Sequence, residues 1–216
     1  MKPINSLFAL AVFVLLPVLM LSSLIGQTAH EILGLVVLLL GLCQLVVHRH
    51  DIHSPTGAKT RAAFFSRLLC WFLVGYLVLT GVTGILLSES LFHIAVPAAV
   101  STAAARIHLC LVHWGLVLIG LHMGLHLPAL LTAVSRRSKP AAKTMLLGAA
   151  MLAAYGAYFF IRQGLYRYLL LTATVYEPDA ATNLSVQLLG YLATMVLFAL
   201  VSFLLSGRKA WEALRP

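Results

Sequence analysis

The sequence predicts an all-α, polytopic membrane protein with six transmembrane helices. Three observations point there. Hydrophobic residues make up 61% of the 216-residue chain and charged residues only 10%, with a mean hydropathy of +0.98. A soluble domain has about 25% charged residues and about 45–50% apolar ones. The apolar residues also fall into six stretches, most of them near the roughly 20 residues that a spanning helix needs. Finally, the basic residues gather at the ends of those stretches, mostly on one side of the expected membrane.

The first stretch, 5–26, follows Lys2 and contains Pro17. It is too long for the apolar part of a secretory signal and has no clear small-x-small cleavage motif before His30, so a retained helix is expected. The second, 30–48, begins and ends on a histidine. The segment 49–65 reads as a polar turn region with Pro55 and Gly57 as breakers. The third stretch, 66–88, carries TGVTG (80–84), and the apolar, alanine-rich segment 89–106 after it is expected on the membrane surface or capping the bundle. The fourth stretch is 107–131, followed by a polar loop at 132–143. The fifth, 144–161, is short and interrupted by Tyr155, Gly156 and Tyr158. Segment 164–176 reads as an interfacial helix with Tyr166 and Tyr168 at headgroup level. The sixth stretch is 184–205.

Lys and Arg collect in cytoplasmic loops. Twelve of the 15 basic residues lie before the first stretch or after the second, fourth and sixth; only Arg106, Arg162 and Arg167 lie opposite. Four of the six acids, Glu31, Glu89, Glu177 and Asp179, share that opposite side. Both termini are therefore expected in the cytoplasm. The net charge of +9 does not describe a nucleic-acid surface, because no basic face forms. Cys43, Cys70 and Cys110 lie inside apolar runs, with neither CxxC nor CxxCH, which excludes a disulfide scaffold and covalent c-type haem.

The histidines carry the chemical information. Ionisable residues within a membrane are expensive and tend to be functional. His30 and His48 are 18 residues apart, five full helical turns, and share one face. His108 and His126 have the same spacing on the fourth stretch, and His122 falls within about 40° of that face. His113 points elsewhere, about 140° from His108. The second and fourth stretches cross the membrane in the same direction. His30 and His108 then lie near one surface, and His48, His122 and His126 near the other. Two such pairs are what two b-type haems need, each iron taking an imidazole from either side. The levels would be about 21 Å apart for a 14-residue step and about 27 Å for 18.

Gly34, Gly81, Gly84, Gly120 and Gly124 would let a flat ligand, or simply a neighbouring helix, approach the backbone. Arg106, just outside His108, suits haem propionates or an interfacial anchor. His50, His53 and His93 read as surface residues. Residues 1–132 would form a four-helix haem-binding bundle, and 133–216 two further helices with the interfacial segment.

The segments IGQTAHEILG (25–34), LTGVTGILLSESLF (79–92) and ARIHLCLVHWGLVLIGLHMGLH (105–126) resemble the flavinylation-associated cytochrome family of bacterial membrane proteins. A weaker likeness continues through AYGAYFFIRQGLYRYLLL (154–171) and LGYLATMVLFALVSFLLS (189–206). The resemblance implies a haem protein of the bacterial inner membrane in extracytosolic electron transfer, with partners carrying covalent FMN. His30, His108, His122 and His126 match the family's recurring histidines. The chain departs from the pattern at Gln44, where the family carries a histidine 14 residues after that of HExxG. Three arrangements follow: His48 replaces the missing ligand and pairs with His122 or His126, the inner haem has another partner, or the chain holds one haem.

The leading functional expectation is a membrane b-type cytochrome passing electrons between a quinol or cytoplasmic donor and an outer flavoprotein or other redox partner. No GxGxxG motif is present, so a nucleotide cofactor would come from that partner. A histidine-based transition-metal transporter or sensor would favour carboxylates or thiolates at mid-membrane, and Asp and Glu are absent from the middle of the second and fourth stretches. A membrane anchor subunit of a redox complex is the remaining class.

Overall fold

The computed structural model describes residues 3–53, 61–173 and 183–205, with side chains from residue 11 and without those of 48–53 and 61–63. The described residues form helices α1 (Pro3–Leu19), α2 (Ser22–Ile25), α3 (Gln27–His53), α4 (Arg61–Leu86), α5 (Ala98–Arg137), α6 (Lys139–Arg162), α7 (Leu165–Leu169) and α8 (Leu184–Leu205). No strand occurs among them. Five helices, α3, α4, α5, α6 and α8, are long and apolar enough to cross a membrane.

The first predicted span is broken. α1 has 17 residues with Pro17 inside it, and α2 adds a single turn before Gly26 at φ +82°. Proline removes an N–H from the helical ladder, and only glycine adopts that positive φ without strain.

Elsewhere the helices run past the predicted ends. α3 continues to His53 and α4 starts at Arg61, so much of 49–65 is helical. α5 begins at Ala98, which places half of the predicted outer loop 89–106 in the helix. Its 40 residues extend about 60 Å, against a hydrocarbon thickness of about 30 Å. The predicted loop 132–143 reduces to Ser138, whose extended backbone caps α6 while its Oγ accepts from the Ala141 N–H at 3.3 Å. Hydropathy ends where charge begins, but Ala, Arg, Lys and Leu remain good helix formers in the headgroup region. Within 164–176 only α7 is helical among the described residues; Gly164 and Leu171 bound it at positive φ, and 174–176 lie outside those residues.

Packing is uneven. α5, α6 and α8 meet backbone to backbone: a Cβ on Gly120 would stand 2.6 Å from the Met195 carbonyl, and one on Gly124 or Gly156 would run into the Ala199 or Ala193 carbonyl. Small residues allow this approach, the main source of helix association in lipid. Gly120 and Gly124 therefore serve helix packing, and Gly81 receives the Leu38 side chain. A core of Leu16, Met20, Leu116, Phe159, Tyr191 and Met195 ties α1 to this group. By contrast, no residue of α3's apolar window is buried. α3 rests on α1, α2 and α4 and makes no extended contact with α5.

Candidate functional site

The gap between α3 and α5 is a cavity of about 490 Å³, within the roughly 300–1,000 Å³ of small-ligand sites. Its walls are mostly apolar side chains of α1, α3, α4 and α5, among them Leu16, Leu38, Leu77 and Val112, with Gln27, Glu31, Tyr76, Thr80 and Ser88 as polar members. His30 and His108 both line it.

His108 is held through α4. Thr83 Oγ1 lies 3.0 Å from His108 Nδ1, and also 2.8 Å from the Leu79 carbonyl and 3.1 Å from that of Thr80. Gly84 lies beside the same ring: a Cβ there would touch His108 Cε1 at 3.4 Å, so the imidazole rests against the α4 backbone.

His30 sits in the first turn of α3, its backbone N–H bonded to the Gly26 carbonyl at 3.0 Å. Its Nδ1 is buried and has no hydrogen-bond partner. Buried polar atoms nearly always have one, so this atom points to a ligand.

Glu31 anchors the same turn of α3, and sequence reasoning counted it only as an outward acid. Its carboxylate accepts from Ser88 Oγ at 2.7 Å, from the Glu89 and Leu91 N–H groups at 3.0 Å each, and from Gln27 Nε2 at 2.8 Å. The Ser90 N–H adds contacts of 3.1 and 3.2 Å to its two oxygens. Charge-assisted bonds of this kind are about twice as strong as neutral ones. They pin the start of α3, and with it His30, to the turn that follows α4. An acid beside the histidine and a serine pair at 88 and 90 were the visible signal, but only the fold brings them together.

The other predicted residues are distributed as follows. Gly34 lines the cavity, with open space where a side chain would begin: nothing lies within 4 Å of a Cβ at that position. Arg106 is exposed on α5 and is not part of the cavity wall. His113, turned away from His108 by helical arithmetic, does reach the cavity; its ring N–H donates to the Leu109 carbonyl at 2.7 Å, and it stacks on Tyr168 at 4.2 Å. His122 and His126 lie outside this cavity and face each other, Nε2 to Nε2, at 3.4 Å. His48 falls in the last turns of α3, and its side chain lies outside the described residues. Among those residues no three His, Cys, Asp or Glu side chains converge as an ion site.

Open space at Gly34 gives a direct check. A Gly34→Leu chain is expected to fold as stably as the parent while losing most of any group that fills the cavity, read as bound cofactor per chain beside a melting curve of the cofactor-free protein.

Compared with protein families, with curated proteins and with solved structures, the chain has no match.

Proposed function

We propose that the chain is a b-type cytochrome of a bacterial cytoplasmic membrane. It exchanges electrons with an outer partner that carries FMN, and draws on a quinol or a cytoplasmic donor. One observation carries this reading: two histidines from helices that hardly touch line a single, mostly apolar cavity. The residues present fit a haem there. His30 has an orphaned buried nitrogen, His108 is braced by Thr83, and the walls are mostly apolar. A bare transition ion wants three or four protein donors. The pair His30 and His108 is enough for a group that brings its own equatorial nitrogens.

When bound, haem would supply a one-electron iron couple. His30 and His108 hold it, Glu31 keeps α3 in place, and the leucines and valines of the wall exclude water. Two histidines holding the group would suit electron transfer.

In this reading α1 and α2 supply a sixth crossing, and α1, α3, α4 and α5 form the haem bundle. Both termini are cytoplasmic, following the basic residues, so the His30–His108 cavity lies at the outer side, near the flavoprotein. Crossing the membrane asks for a second haem. His122 and His126 sit about 21 Å and 27 Å along α5 from His108, with His48 on α3 as the third candidate.

The test is a dithionite-reduced minus oxidised spectrum of the purified protein, with haem and protein measured in one sample. Two b-type haems per chain are expected if His48 stands in at the inner level. One keeps the outer site and makes Gln44 a lost ligand. None, after growth with ample haem, overturns the cytochrome reading and favours a transition-ion carrier or an anchor subunit.

A further inference from the structure

We infer that Thr83 is a positioning residue that fixes the tautomer of His108 and lowers the reduction potential of the haem held there; this rests on the cytochrome reading above. The hydroxyl of Thr83 has one hydrogen and three neighbours. Two are carbonyls of its own helix, Leu79 at 2.8 Å and Thr80 at 3.1 Å, and carbonyls only accept. The hydrogen goes to them, so towards His108 Nδ1, at 3.0 Å, the oxygen accepts. Nδ1 then carries the proton, and Nε2 keeps its lone pair for the iron.

Thr83 is 7% exposed, so water does not compete for the bond. The ring's freedom is limited further by the α4 backbone at Gly84. A ligating histidine that donates its other N–H is oriented and made more basic by the acceptor. A more basic ligand favours the oxidised iron. The sequence hint was the TGVTG run, where the second threonine falls one turn after Leu79.

The experiment compares the full-length chain with T83V and T83S in detergent, by potentiometric titration of the haem bands. T83V removes the hydroxyl acceptor and keeps the bulk; the Thr80 carbonyl beside His108 remains. It is expected to retain haem and favour the reduced form about tenfold more than the parent, a rise of roughly 59 mV in one midpoint potential. T83S restores the acceptor and should titrate like the parent. Should T83V fail to fold, the redox-difference infrared spectrum of ¹⁵N-histidine-labelled parent protein carries the test, since a hydrogen-bonded Nδ1–H at the ligand is expected there. A T83V midpoint equal to the parent's, a T83S shift as large as that of T83V, or no protonated Nδ1 signal overturns the inference while the cytochrome reading stands. A parent chain without haem overturns both.

Discussion

On the cytochrome reading, His108→Ala is expected to lower bound haem by one per chain while the α5–α6–α8 group stays folded. The reason lies in how the cavity is built. α3 and α5 make no extended contact, so the two histidines are what would bridge them through the bound group. Without the His108 imidazole, His30 alone would be left to hold the group, and it sits on a helix with no buried residue in its apolar window. A ligand present at 1,000 times its dissociation constant stabilises the folded state by about 4 kcal/mol, and the variant forfeits that linkage. The loss should be local. Hydrogen exchange in α3 is expected to rise towards that of a frayed helix, with α8 unchanged. His30→Ala should lose the same haem, and the Glu31 tether should then hold α3 to the turn at 88–91 but not to α5. A His108→Ala chain with its full haem content would place the ligands elsewhere on the molecule, and the His122–His126 pair would be the next to remove.

The helical character and five of the spans were legible from hydropathy, because a lipid-facing helix must be apolar over its crossing length. Both His30 and His108 line one cavity, where helix spacing and two stretches crossing in the same direction put them at one level. What stayed hidden depends on contacts across the chain. Glu31 meets Ser88 over 57 residues and Thr83 meets His108 over 25. No periodicity encodes either. His113 was sent away by the 100° rule, yet the cavity reaches around α5 to it, and Tyr168, its stacking partner, comes from the short α7. Helix ends were misjudged for a different reason. Hydropathy marks where lipid stops, and a helix such as α5 continues well beyond that point. Glycines showed the opposite ambiguity: Gly34 opens on the cavity, whereas Gly120 and Gly124 admit the backbone of α8, and nothing within the sequence separates the two uses.

Gly124→Val should be strongly destabilising. A Cβ at residue 124 meets the Ala199 carbonyl oxygen, with its carbon and Ser202 Cβ each at 2.8 Å. The first two obstacles are backbone, so no rotamer change relieves them and α8 has to move as a body. Overpacking of this kind costs about 1–3 kcal/mol, occasionally more. In lipid the loss is not recovered by burying the extra methyl groups, since association there rests on close van der Waals contact. Gly156→Val pushes on the same helix from α6, against the Ala193 carbonyl and the Thr194 N–H. Ala193 and Ala199 belong to one helix that either clash displaces as a body, so the two costs couple through that shared shift rather than add. Gly148→Ala is the control: nothing lies within 4 Å of a Cβ at that position, and alanine is the better helix former by about 1 kcal/mol. Melting in one detergent is therefore expected in the order Gly148→Ala, parent, single valine variants, double variant. Because α8 does not line the cavity, the single valine variants should, on the cytochrome reading, match the parent's haem content below their melting temperature. Loss of haem in step with loss of stability would instead mean that the seating of α8 sets the position of His108 on α5.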